Sequence, residues 1–179
     1  GESFDRPARR LHEMAELVGE FLRGEGRVSY DGEVYEVSDF PSLGREVPVY
    51  AAALGPATRR ATGRTADGWL PHNIPFGRLG DAFETVAETA RERGRDPADV
   101  TVAPYVPAAV SDDPAEARRA VRGHIAYYIG SGAGYRRAVA QSFPESADAV
   151  AAAWREGDRE AAREAVTDEM VAALGVAGT

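Results

Sequence analysis

The chain has neither cysteine nor lysine; all 21 of its Lys+Arg cations are arginine, set against 29 Asp+Glu in 179 residues. Without cysteine there is no disulfide framework, no thiolate zinc or iron–sulfur site and no cysteine nucleophile. Without lysine there is no Schiff-base amine and no Walker-type phosphate lysine. Large apolar side chains are also scarce. Leu, Ile, Val and Phe together number 34, and 33 alanines supply much of the 44% hydrophobic content, which predicts a thin core. No apolar run reaches the length that spans a membrane, and no basic-then-apolar leader opens the chain, so the cytoplasm is the expected location. The net charge of −8 argues against nucleic acid, because neutralising phosphates takes basic stripes. The three histidines are scattered without His-Glu-x-x-His spacing and give no metal set.

What is present is a regular alternation of helical and extended signals. Pro7 to Arg23 carries Leu11, Ala15, Val18 and Leu22 on one face, with Met14 and Phe21 in a second row. Asp5 is the candidate cap and Gly24 the candidate stop. On that helix His12 reads as solvated. Val28 to Val37 reads as a β-hairpin centred on Asp31-Gly32, the favoured two-residue turn. Val47 to Ala53 is an unbroken apolar run of the kind buried parallel strands show. Leu54-Gly55-Pro56 breaks it, and Ala57 to Thr65 forms a short helix.

The same order then recurs. Ala66 to Pro71 gives a short strand, and His72-Asn73-Ile74-Pro75 a loop. A helix runs from about Phe76 to Arg93, with Leu79, Phe83, Val86, Ala87 and Ala90 in register. Val100 to Val110 is a strand, although Pro104 and Pro107 count against a central position. Asp113-Pro114 opens a helix to Ile129 with Ala117, Val121, Ile125 and Tyr128 on one face. From Tyr135 to Leu174 the chain reads as short helices broken at Phe143-Pro144 and Gly157-Asp158, with no further strand. Such alternation implies βαβ units and a parallel sheet. Three core strands fall short of an eightfold barrel, which takes about 250 residues.

The chemistry-bearing segment is Val47 to Pro71. A strand runs through Gly55 into a helix start carrying Thr58. Open N–H groups and the helix dipole there make an anion site, Gly55 lets the backbone approach, and Thr58 adds a hydroxyl. An ordinary βα loop has the same sequence, and the residues by themselves favour that plainer reading. Gly130-Ser-Gly-Ala-Gly134 invites a dinucleotide-binding reading. Tyr135 stands where the third glycine would fall, and no later strand supplies an acidic ribose ligand. Arg155 to Arg163 reads as a charged, solvated helix. His124 lies beside an apolar helical face and reads as structural.

Pro48-Val-Tyr-Ala-Ala-Ala-Leu-Gly-Pro-Ala-Thr58, followed by Ala61-Thr-Gly-Arg-Thr-Ala-Asp-Gly-Trp-Leu-Pro71, resembles the signature of the bacterial-luciferase-like flavin and deazaflavin oxidoreductases. The stretch after Phe4-Asp-Arg-Pro7, the hairpin, and the tail from Trp154 to Thr179 are similar to the same family. The resemblance implies an α/β fold: a partial (β/α)₈ TIM barrel of about strands five to seven, with flanking helices and a small β-hairpin insertion, stopping before the eighth strand. Residues 1–179 would then be the C-terminal part of a single barrel domain, incomplete at both ends. The start at Gly1 without methionine fits this, as does an end at Gly178-Thr179 that reads as a helix cap lacking its helix.

The resemblance also implies a function. It places the cofactor phosphate on backbone groups of Ala53, Leu54 and Gly55, with Thr58 at the helix start. Leu54-Gly55-Pro56-Ala57 is similar to the coenzyme F420 branch rather than to members that use riboflavin phosphate (FMN), where a glutamate and serines are common. The implied activity is F420-dependent hydride transfer to or from a small organic substrate. An FMN-dependent monooxygenase is one alternative and a non-catalytic half-barrel that binds or associates is another. His72, after the sixth-strand candidate, is implied to face substrate, and an ordinary surface-loop histidine is the equal alternative from the residues themselves. The family's proton-transfer residues lie largely on the first four strands, so no catalytic residue is assigned here. The implied partners are a small molecule and a second copy of the chain, with no nucleic acid and no membrane.

Overall fold

The computed structural model describes residues 5–179; the first four residues, including Phe4 of the resembling stretch, lie outside it. The chain divides into two compact units, Gly1–Leu70 with Asp81–Ala103, and Pro71–Gly80 with Pro104–Thr179.

The first unit begins with α1 (Pro7–Arg23) and a hairpin of β1 (Arg27–Asp31) and β2 (Glu36–Pro41). Arg6, in the left-handed region at φ 52, occupies the N-cap position in place of Asp5, and Gly24 ends the helix as its spacing predicts. The buried face of α1 differs from the apolar stripe. His12, Glu13, Ala15 and Gly19 are buried, while Met14 is exposed. Glu13 explains the shift. Its carboxylate accepts the N–H groups of Glu33, Val34 and Tyr35 at 3.0, 2.9 and 3.1 Å and pairs with Arg9 at 2.9 Å. That contact also resets the hairpin. Asp31 pairs with Glu36, so the turn is Gly32 to Tyr35 and not the two-residue Asp-Gly turn. A three-N–H cradle for a carboxylate outweighs the local turn preference. His12 is buried as well, with Nε2 3.3 Å from Glu16 and Nδ1 unpartnered, which corrects the solvated reading.

Three strands form a parallel sheet: β3 (Tyr50–Ala51), β4 (Gly68–Trp69) and β5 (Thr101–Val102), in that order. Each is shorter than its apolar run. Pro48 has no N–H to give a ladder, and Val49 N–H goes to the Asp67 carboxylate at 2.7 Å. Between β3 and β4 lies α2 (Pro56–Thr65); between β4 and β5 lies α3 (Leu79–Glu92), entered through a 3₁₀ turn at Phe76–Arg78. Trp69, Val86, Ala66 and Ala90 are fully buried. The helix α2 approaches α3 so closely that a Cβ on Gly63 would collide with the Val86 carbonyl.

The second unit is mainly helical. It contains β6 (Ala108–Val110), α4 (Pro114–Ser131), α5 (Ala133–Ala140), α6 (Pro144–Glu156), α7 (Arg159–Glu164), α8 (Asp168–Leu174) and β7 (Val176–Gly178). The Val100–Val110 run divides at its two prolines into β5 and β6. Asp113 caps α4 through Ala115 N–H, and Ala117, Val121 and Ile125 face inward as their spacing predicts. Their core is completed by Ile129, Val139, Val150, Val166, Met170 and Leu174, with alanines filling the gaps. The glycine-rich stretch is a helix junction, with Gly132 the single residue between α4 and α5. Gly130 packs directly under the Trp154 ring. Breaks at Pro144 and Gly157 fall where expected, so Arg155 to Arg163 is two helices and not one. Its charges are also engaged: Arg159 covers Trp154 at 3.7 Å, and Glu160 pairs with Arg119 at 2.7 Å.

The chain's end is a correction. Gly178 is not a helix cap but the last residue of β7, which runs parallel to β6 with Val110 opposite Gly178. The C-terminal third therefore carries a strand, and the expectation that the chain stops before another parallel strand does not hold. Gly175 makes this fit: a Cβ there would sit 2.9 Å from the Pro107 carbonyl and 2.7 Å from Val121. Val110 and Val176 are 81% and 57% exposed.

Candidate cofactor and substrate sites

The loop from β3 to α2 is held from beneath. The buried Trp69 indole donates Nε1–H to the Ala53 carbonyl at 2.7 Å, fixing where the chain leaves the sheet. Ala53 is buried, Leu54 half-buried and Gly55 exposed. Gly55 is the N-cap of α2 at φ −87 and ψ 160, with no side chain capping the helix. That backbone conformation suits any residue, so glycine is not required for the turn. A Cβ there would meet only Thr58 Oγ1, at 4.0 Å. Glycine instead leaves the helix end open.

Among the described residues the Ala57 and Thr58 N–H groups have no acceptor, and no acidic residue stands in the first turn of α2. The Thr58 hydroxyl donates to the Gly55 carbonyl at 3.0 Å, so the open donors are backbone ones. Two free N–H groups at the positive end of a helix form a donor set that fits a phosphate.

His72 lies three residues beyond β4, where its backbone forms a parallel bridge with Tyr105. The C-terminal ends of parallel strands are where barrel enzymes assemble their sites. Its ring does not stand alone. His72 Nε2 is 3.1 Å from His124 Nε2, and the rings of Tyr128, Tyr105 and Tyr135 meet it edge-on at 4.2, 4.7 and 5.4 Å. Burial, reinforced by the neighbouring His124, pushes His72 down to about 4, and burial lowers His124 too. Both rings are therefore neutral near pH 7.

Beside them Asn73 is 3% exposed, held at φ 54, and its amide O and N have no partner. Sequence reasoning singled out His72 but missed its partners. The available signal was His124-x-x-x-Tyr128 with Tyr135 one heptad further, aromatic groups in an otherwise alanine-rich helical stretch. Among the described residues no three His, Asp or Glu side chains gather in a metal-holding arrangement, and no helix is long and apolar enough to cross a membrane.

Parallel strands joined by helices, with an open helix N-terminus after one strand and a polar aromatic cluster after another, define an α/β protein. Residues 1–179 match the model of the luciferase-like monooxygenases, and the chain belongs to that family. It is 27% identical over 206 residues to the 5,10-methylenetetrahydromethanopterin reductase of Archaeoglobus fulgidus, covering 100% of this chain and 55% of that protein. A shorter stretch of 64 residues is 41% identical to the F420-dependent glucose-6-phosphate dehydrogenase of Microbacterium testaceum, covering 34% of this chain and 19% of that one. The structure of the coenzyme F420-dependent tetrahydromethanopterin reductase of Methanopyrus kandleri superposes with a TM-score of 0.77 at 26% identity, over 96% of this chain and 51% of that chain. The chain spans about half the length of the reductases it matches.

Proposed function

We propose that the chain is part of a luciferase-like oxidoreductase that uses coenzyme F420 for hydride transfer to or from a small organic substrate. In this reading it supplies the C-terminal portion of one (β/α)₈ barrel domain, with β3, β4 and β5 as successive barrel strands. The observation that carries the cofactor assignment is the uncapped start of α2. Its free Ala57 and Thr58 N–H groups and the open surface at Gly55 suit the phosphate end of such a cofactor, and the Trp69 bond to the Ala53 carbonyl holds the loop that presents them. Ala53, Leu54 and Gly55 would hold it through backbone groups, and Thr58 through its N–H, its hydroxyl being engaged with the Gly55 carbonyl. The deazaflavin supplies the hydride chemistry when bound, and the protein binds and orients it.

His72 is assigned to the substrate side. The unpartnered Asn73 amide beside it supports this, since a buried polar group without a partner costs about 1–3 kcal/mol and a polar ligand or water would recover that. The relatives named for F420 favour that cofactor over FMN, as does the absence of a glutamate and serines at Leu54–Ala57. Fluorescence titration of the chain with F420, and in parallel with FMN, tests the assignment. Saturable quenching of F420 at lower concentration than FMN is expected; failure of both to bind overturns it.

A further inference from the structure

The His72–His124 contact lies wholly within the second compact unit, and its two rings come from different elements. His72 is placed by the backbone bridge it forms with Tyr105 after β5, and His124 by the middle of α4. Tyr128, one turn beyond His124, packs against both rings at 4.2 and 4.8 Å, and Tyr105 meets both at 4.7 and 6.0 Å. Tyr135 closes on His72 at 5.4 Å. Three tyrosine rings therefore brace two imidazoles whose Nε2 atoms face each other at 3.1 Å. At that separation one nitrogen donates N–H and the other accepts with its lone pair. An imidazole lone pair is also a metal ligand. Two nitrogens about 2.0–2.1 Å from one ion stand about 2.9 Å apart at a right angle and about 3.3 Å apart at the tetrahedral angle. The observed 3.1 Å falls between these values, so an ion can be held without changing the spacing of the pair. It requires a tilt that turns both lone pairs to one point, and the donor ring must carry its proton on Nδ1 instead of Nε2.

We propose that His72 and His124 together form a binding site for a divalent late transition-metal ion, copper(II) in preference to zinc. The donor set selects this class. It consists of two imidazole nitrogens, with no thiol in the chain and no third His, Asp or Glu gathered with them among the described residues. Magnesium and calcium take oxygen ligands and find none in this pair. Imidazole suits copper, nickel and zinc, and copper(II) stands highest in the affinity order. The protein fills two coordination positions, and the others are left to water or to a small nitrogen or oxygen ligand. The bound ion replaces the hydrogen bond as the link between the loop after β4 and α4. The site does not depend on the F420 reading and stands or falls separately from it.

The test uses the full chain without cofactor, and copper(II) and zinc sulfate as probes. Calorimetric titration is expected to give one copper(II) per chain, bound at least about tenfold tighter than zinc, with a higher thermal midpoint on saturation. Electron paramagnetic resonance of the copper form should show hyperfine coupling to two imidazole nitrogens. His72→Gln and His124→Gln should each weaken copper binding about tenfold or more, because losing either ring ends the two-point attachment. The double variant should be little worse than either single one, and His12→Gln should bind as the wild type does. Wild-type protein gives an answer that needs no variant to fold. Substoichiometric copper(II) should broaden the ring signals of ¹⁵N-labelled His72 and His124 and spare those of His12. No binding, an affinity unchanged in both single variants, or broadening that misses either ring overturns the site. Zinc held as tightly as copper overturns the stated preference.

Discussion

At the scale of single residues, the two sites differ in how far they could be read from the sequence. Gly55 and Thr58 were legible because a helix start is a local feature, encoded in neighbouring residues. Their roles were less so: Gly55 has an ordinary extended backbone, and the Thr58 hydroxyl turns back to the Gly55 carbonyl. This gives a prediction that separates binding from folding. Gly55→Asp places a carboxylate over the free N–H groups of α2, where it caps the helix and raises stability by a few tenths of a kcal/mol. The same carboxylate occupies and repels the phosphate position. F420 affinity should fall at least tenfold, about 1.4 kcal/mol, while the thermal midpoint holds or rises. Loss of both would mean that the loop is simply damaged.

His124 was not legible, because its partner is 52 residues away and only the fold brings them together. Its consequences extend to stability. Folded His72 takes up its proton near 4, whereas the unfolded ring does so near 6.5. As pH falls from 7 towards 4 the unfolded chain therefore binds more protons, and stability falls; the lowered His12 and His124 add to the same limb. Glu13 acts in a lower window. Burial alone would raise its carboxyl, but the Val34 and Tyr35 N–H groups and Arg9 hold it below 4.5, so its contribution is lost as pH falls through that depressed value. Urea midpoints measured from pH 7.5 to 3 should show a two-stage decline. His72→Gln should flatten the upper stage and Glu13→Gln the lower.

At the scale of elements, helices were read well and strands poorly, for a physical reason. The helices α4 and α6 carry their own register, caps and stops, in Asp113, Pro144 and Gly157. The strands are two or three residues long and depend on partners. The Asp31-Gly32 turn yielded to the Glu13 carboxylate, and β7 forms only because Gly175 lets the chain pass against Pro107 and Val121. Glycine at a close approach and glycine in open space look identical in sequence, which allows a paired test. In α2, Gly63→Ala drives a methyl into the Val86 carbonyl of α3 and should cost about 1–3 kcal/mol. In α3, Gly80→Ala meets nothing within 4 Å and should gain about 0.4–1 kcal/mol from reduced freedom of the unfolded chain. Chemical denaturation of the two variants should move the midpoint in opposite directions.

At the scale of the whole molecule, the shortage of large apolar residues is met in two ways. Alanines let helices pack closely around a few large groups, as around Met170, Ile125 and Ile129 in the second unit and Trp69 in the first. The remaining apolar strand residues are left uncovered: Val102, Tyr50, Val110 and Val176 are all exposed. In the barrel reading, neighbouring strands and helices of the same domain would cover them. Without that cover, β6 and β7 present unpaired edges whose N–H and C=O groups can accept a strand from another chain. The 179-residue chain is therefore expected to self-associate as its concentration rises. Val110→Lys, at the most exposed of these positions, should reduce that association, because a charged side chain on an edge opposes strand addition. It should cost little stability, since the valine it replaces is already 81% exposed. Light scattering across a concentration series would read the first effect and thermal unfolding the second. Unchanged association in Val110→Lys would place the contact elsewhere on the surface, and a strictly monomeric wild-type chain would mean that its edges are already protected.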